Sequence, residues 1–127
     1  EADAITRRRL DMWSTYHQWF ESLEKTGKVR RPIVPRECQH NAHMYYLLLP
    51  DLAKRTEFIA RLWKHGVQAV FHYVPLHSAP LGERTGRVHG NMSNTDSVSE
   101  RLVRLPLWLG LESEQVEVIQ RVIEAVT

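Results

Sequence analysis

Met44-Tyr45-Tyr46-Leu47-Leu48-Leu49, closed by Pro50, is an unbroken apolar run as long as one strand. With no polar alternate it has no face to offer water, so it reads as a strand buried on both sides and demands structure over both faces. The flanking sequence can supply it. Residues 53–65 place Phe58, Ile59, Leu62 and Trp63 on one helical face, with Gly66 as the stop. Val67 to Tyr73 reads as a second strand, with Val67, Ala69, Phe71 and Tyr73 on one face and Gln68, Val70 and His72 on the other. Leu102 to Leu109 is apolar enough for a third, although Pro106 restricts it to an edge or a late position.

Two further helices bracket this set. Over residues 4–26, Ile5, Met12, Trp13, Tyr16, Trp19, Phe20 and Leu23 recur at three- and four-residue steps, and Gly27 is placed as the C-cap. Lys25 and Lys28 suit the negative end of that helix dipole. The aromatic surplus implies packing partners on two sides. Near the other terminus Ser113 can cap a helix whose inward stripe is Val116, Ile119, Val122, Ile123 and Val126. Residues 28–42, with Pro32 and Pro35, read as an extended connector. From Pro75 to about Thr95 the chain reads as a long polar loop, and loops of that length are usually functional or disordered. Ser97-x-x-Glu100 is a capping-box pattern that would open a short helical turn. The order helix, strand, helix, strand, loop, strand, helix is an α+β layer with about three strands and helices packed on the sheet.

At 127 residues the chain has the size of one domain. A net charge of +2 implies no strong polyanion partner, and Arg7-Arg8-Arg9 and Arg30-Arg31 read as solvated faces. The lone Cys38 forms no internal disulfide, which fits a reducing cytoplasm, and no apolar run approaches a membrane span.

Functional candidates concentrate in Phe71-His72-Tyr73-Val74-Pro75-Leu76-His77-Ser78, where two imidazoles and a phenol stand as a strand becomes a loop. Pro75 and Pro80 stiffen the backbone around His77, as ligand positioning requires. His72 reads as a strand histidine that buttresses the loop. His40-x-x-His43 and His72-x4-His77 have chelating spacings but no convenient acidic or thiolate ligand, so no metal site is expected. Cys38 lies among polar residues and reads as an inert thiol. None of Lys25, Lys28, Lys54 and Lys64 looks desolvated enough for a Schiff base, and no phosphate-loop, nucleophile-elbow or dinucleotide fingerprint occurs. No catalytic residue is therefore expected in these 127 residues. The chain, which starts at Glu1 without an initiator Met, reads as a piece of a larger enzyme.

Three stretches carry a resemblance: Cys38-Gln39-His40-Asn41-Ala42-His43-Met44-Tyr45-Tyr46, Ala69-Val70-Phe71-His72-Tyr73-Val74-Pro75-Leu76-His77, and Ser99-Glu100-Arg101-Leu102-Val103-Arg104-Leu105-Pro106-Leu107. In this order and spacing the chain resembles the C-terminal domain of the DegT/DnrJ/EryC1/StrS sugar-nucleotide aminotransferases, which are fold-type I enzymes. The resemblance implies that residues 1–27 are an interdomain linker helix and residues 28–127 the small α+β domain. It also implies pyridoxal 5'-phosphate held by a separate N-terminal domain, a homodimer, and amino transfer from L-glutamate to C4 of a dTDP-4-keto-6-deoxyhexose. On that reading His77 hydrogen-bonds the hexose or the diphosphate, with Tyr73 and Ser78 beside it and His72 supporting the loop. A contact to phosphate would be strengthened by protonation of His77. Asn41 and His43 face the same cleft, and the loop 76–95 covers the substrate. Two other classes stay open from the residues alone. One is a nucleotide- or RNA-binding module, which would need aromatics on an open sheet face; the other is a purely structural dimerisation domain.

Overall fold

The computed structural model describes all 127 residues. It opens with α1 (Ala2–Trp19) and the short α2 (Glu21–Lys25), separated by Phe20 at φ −88°, ψ 5°. The single helix expected over 4–26 is thus broken at one residue, which lets the Phe20 ring turn fully into the core. Gly27, with φ 72°, ends α2: Lys28 N–H donates to the Leu23 carbonyl and Gly27 N–H to the Glu24 carbonyl, which satisfies two orphan carbonyls in a Schellman motif. After the connector come β1 (Tyr45–Leu48), α3 (Leu52–Lys64), β2 (Val70–Phe71), α4 (Pro80–Thr85), α5 (Ser93–Arg101), β3 (Leu102–Leu105) and α6 (Gln115–Val126). Asp51 caps α3 by accepting from Lys54 N–H at 2.7 Å.

The sheet order is β1-β3-β2, with β3 antiparallel to both neighbours. Tyr45 opposes Leu105 and Leu48 opposes Leu102 on one side; Val70 opposes Arg104 and Phe71 opposes Val103 on the other. Strands β1 and β2 therefore run the same way, α3 crosses between them, and β3 returns into the gap. Contrary to one expectation, β3 is central. Pro106 permits this because it lies just past the strand and removes no ladder donor. On the outer side of β1, Arg30 and Leu48 exchange backbone hydrogen bonds of 2.9 and 3.0 Å.

One core holds these elements together. Met12, Tyr16, Phe20 and Leu23 meet Tyr45 and Leu47 from β1, Phe58 and Leu62 from α3, Val103 and Leu105 from β3, and Ile119 and Val122 from α6. Each such side chain contributes about 1.5–3 kcal/mol when fully buried. Two buried polar contacts fix how α1 sits: the Tyr16 hydroxyl donates to the Pro106 carbonyl at 2.8 Å, and Gln115 Nε2 to the Met12 carbonyl at 2.7 Å. Residues 1–27 are thus packed into the same core as the rest.

Several expected positions move outward. Ile5 and Trp19 are exposed, because one face of α1 alone meets the core. Trp63, in the last turn of α3, is half-exposed and tied to the segment entering β2 by its indole N–H bond to the Ala69 carbonyl at 2.6 Å. On the second strand Val67 and Ala69 are buried, but Phe71 and Tyr73 face out, because past Phe71 the partner strand gives way to α5. In α6 it is Val118 that is buried and Val116 that is exposed. That helix starts after a turn at Leu111–Ser113, so Ser113 is not its cap. The expected loop 76–95 contains a turn at Leu76–Ser78, all of α4 and the start of α5, and Ser97 and Glu100 lie within α5 rather than at its start.

Candidate functional site

The chain leaves β2 through His72 and Tyr73, passes Pro75, and folds into the single turn Leu76–Ser78. Helix α4 then lies directly on that turn. A Cβ on Gly82 would fall 1.6 Å from the Leu76 carbonyl oxygen, so only glycine permits the approach. Helix α5 closes the other side: His77 Nε2 and Asp96 Oδ1 are 2.7 Å apart, a bond between the turn and the first half of α5. The His77 side chain is only 15% exposed, whereas Tyr73 is 70% exposed.

Three open grooves meet at this segment. The first, about 610 Å³, runs between the turn and α4 and is lined by His77, Glu83, Arg87 and His89 among others. The second, about 590 Å³, is bordered by Arg55, Tyr73, His77, Ser78, Asp96 and Glu100. The third, about 730 Å³, lies between His72–Leu76 and the α5 residues Asn94–Ser99. Arg55 is held in the second groove by its Nε bond to the Glu100 carbonyl at 2.9 Å and by its seat over the Phe71 ring, 5.3 Å from the centroid. The structure therefore brings together four of the expected residues, His72, Tyr73, His77 and Ser78. Ser78 turns its hydroxyl to the Pro75 carbonyl at 3.3 Å, while the His72 ring packs edge-on against Tyr73 with centroids 4.6 Å apart. The His72 Nδ1 is buried without a hydrogen-bond partner. Such an atom asks for an explanation by water or ligand.

Asn41 and His43 are not part of this gathering. They precede Tyr45, which opposes Leu105, while residues 72–78 follow Phe71, which opposes Val103, so the two groups lie at opposite ends of the sheet. There the Asn41 side-chain oxygen accepts from the His43 backbone N–H at 3.2 Å and lies 3.1 Å from its Nδ1, around Ala42 at φ 48°. A left-handed alanine costs on the order of 1–2 kcal/mol, and such strain clusters at ligand-facing segments.

The strongest shifts in acidity lie elsewhere, in the aromatic seam between α1 and β1. Burial pushes the Tyr16 and Tyr45 phenols well above the ordinary range. Burial and the neighbouring Arg31 guanidinium push His17 down. The His17 ring stacks on Trp13 with centroids 4.6 Å apart, as core aromatics do.

No group of three or more His, Cys, Asp or Glu side chains is placed to hold a metal ion. No lysine borders the three grooves at His77. Lys25 and Lys54 are ion-paired on helix surfaces with Glu21 and Glu57. These grooves thus offer no amine for a Schiff-base cofactor. Tyr45 is fully buried and Tyr46 half-buried, so β1 does not offer the open aromatic face an RNA-binding reading needs. No helix is long and apolar enough to cross a membrane. Residues missed in the sequence are Asp96, Gly82 and Arg55. Only Gly82 carried a signal, as one of three glycines between residues 82 and 90.

Known proteins share this architecture. An uncharacterised protein of Methanocaldococcus jannaschii is 32% identical over 120 residues, which cover 91% of this chain and 30% of that protein. The solved aminotransferase TlmJ from Streptoalloteichus hindustanus superposes with a TM-score of 0.81 at 25% identity, over 98% of this chain and 32% of that one. The PLP form of a putative sugar aminotransferase from Streptococcus pneumoniae gives 0.77 at 20% identity, over 98% of this chain and 32% of that one. The chain thus spans about a third of the length of the proteins it matches. Residues 1–127 match the family model along their whole length, and the chain belongs to the DegT/DnrJ/EryC1/StrS aminotransferase family.

Proposed function

We propose that this chain is the C-terminal small domain of a pyridoxal phosphate-dependent sugar aminotransferase, with residues 1–27 as the helix linking it to a cofactor-binding N-terminal domain. The reaction moves an amino group from L-glutamate to C4 of dTDP-4-keto-6-deoxyglucose, as in dTDP-4-amino-4,6-dideoxygalactose transaminase, an enzyme of enterobacterial common antigen synthesis. The observation that carries this reading is the convergence of three grooves on one rigid turn holding His77, in a chain matched throughout by an aminotransferase family.

The cofactor supplies the electron sink that makes transamination possible, and its holding residues lie outside this chain. What these residues contribute is recognition. His77 offers a fixed imidazole to the hexose or diphosphate. Tyr73 offers an exposed ring and hydroxyl, Ser78 a hydroxyl on the same turn, and His72 a ring that backs Tyr73. Asn41 and His43, at the far end of the sheet, form a separate lip of the substrate channel. Helix α4 and the chain to residue 92 exclude water over the bound sugar. The enzyme acts as a cytoplasmic homodimer. The domain alone neither forms an aldimine nor transaminates.

Incubating the full-length enzyme with L-glutamate and dTDP-4-keto-6-deoxyglucose, and weighing the nucleotide sugar by mass spectrometry, tests the reading. Replacement of the keto oxygen by an amine is expected. An unchanged dTDP substrate, with amination of the same keto-sugar supplied in a parallel reaction on UDP, would refute the substrate.

A further inference from the structure

The geometry points to Asp96 as a positioning residue that makes His77 read a sugar hydroxyl rather than the diphosphate. The inference rests on the proposed sugar-nucleotide role of His77 and narrows it to one atom and one ligand group.

The His77 Nε2 lies 2.7 Å from Asp96 Oδ1. A carboxylate has only lone pairs to give, so the proton of this bond sits on Nε2. Which nitrogen of an imidazole carries its proton is set by the bond the other one makes, so the neutral ring presents Nδ1 as an acceptor. That atom makes no hydrogen bond within the chain, and it is not among the buried unpaired atoms. An open acceptor beside a groove calls for a donor, and on a nucleotide sugar the donors nearest the reacting carbon are ring hydroxyls. A diphosphate has none.

The charge around the ring favours the same assignment. The groove shared by His77 and Tyr73 carries three carboxylates, Glu83, Asp96 and Glu100, against one guanidinium, Arg55. That guanidinium is already engaged by the Glu100 carbonyl and the Phe71 ring. A dianionic diphosphate is repelled there, whereas a neutral hexose is not. The first groove, which His77 and Glu83 also border, carries Arg87 and His89 toward its α4 side, and there a diphosphate meets a better field.

The test uses the full-length enzyme as wild type, Asp96→Asn and His77→Ala, with three readouts. Long-range proton–nitrogen NMR of labelled histidine should show the neutral ring of the wild-type His77 as the Nε2–H tautomer. The amide of Asp96→Asn offers an N–H to Nε2 and should displace that tautomer. The KM for the keto-sugar nucleotide should rise about tenfold in both variants, the loss of one neutral hydrogen bond. The KM for glutamate should hold. Inhibition by dTDP, which has the diphosphate but no hexose, should be unchanged in both. A wild-type ring protonated on Nδ1 alone would overturn the inference, as would dTDP inhibition weakened in step with the sugar. If His77→Ala raises the sugar KM and Asp96→Asn does not, the positioning role falls and the reading of His77 stands. If His77→Ala changes nothing, the site reading falls and this inference with it.

Discussion

His17 and Glu24 show how single residues carry the pH response. Burial and Arg31 lower His17, so the folded state holds it neutral while the unfolded chain protonates near the ordinary value of 6.5. Glu24 is raised by burial, but hydrogen bonds from the Arg31 backbone at 2.7 Å and side chain at 2.7 Å outweigh that, leaving it below its ordinary 4.5. Both shifts have one sign: the unfolded state binds more protons, so stability falls with acid. The His17 contribution is complete above about pH 6.5 and is lost below it; the Glu24 contribution is lost as pH drops below about 4.5. Melting temperatures from pH 8 to 4 should therefore decline, and His17→Gln should flatten the decline between pH 7 and 5.5. A slope untouched by that change would show that the titration lies elsewhere. Removing the Tyr16 hydroxyl leaves the buried Pro106 carbonyl unpaired, so Tyr16→Phe should cost about 1–3 kcal/mol in urea unfolding. At this scale the sequence pointed to the segment of Tyr73 and His77, which leaves β2 and is stiffened by Pro75 and Pro80 on either side of His77. It was silent on Asp96, nineteen positions beyond His77, because nothing local distinguishes a carboxylate that pairs across a loop from a solvated one.

Elements were legible where apolar spacing is strong. The run 44–49, the stripe of α3 and the glycine stops at 27 and 66 follow from pattern and capping, and both glycines take the positive φ their place implies. Helix α4 was not legible, and of α5 only a short turn from Ser97 was expected. Ser93-Asn94-Thr95-Asp96-Ser97-Val98-Ser99-Glu100-Arg101 has one apolar residue, and its helix is supported instead by tertiary bonds such as Arg55 to the Glu100 carbonyl. Strand β2 is shorter than its hydrophobic run because past Phe71 its partner strand gives way to α5. Gly82 tests the packing of α4 on the turn. Gly82→Ala forces the Leu76 carbonyl to move, so it should weaken keto-sugar nucleotide binding tenfold or more by calorimetry, while Tm, set by the core, changes little. Unaltered affinity would mean the turn does not shape the site.

Among the exposed apolar side chains of the whole molecule, one group clusters where β2 runs into the turn and α4. Phe71, Tyr73, Val74, Leu76 and Leu81 are all exposed, with Leu76 at 86%. A patch of that kind marks an interface, here proposed to face the rest of the enzyme and its substrate. The 127-residue chain alone should therefore self-associate with concentration in sedimentation velocity, and Leu76→Ser should reduce the association without loss of Tm. The same chain mixed with pyridoxal phosphate should show no aldimine absorbance band.

The most direct measurement is steady-state amination of dTDP-4-keto-6-deoxyglucose by the full-length enzyme and its His77→Ala variant, with glutamate saturating. The account predicts turnover in the wild type and a KM for the sugar nucleotide about tenfold higher in the variant. Equal KM values in the two proteins would contradict it, and the turn at Leu76–Ser78 would then be scaffold rather than site.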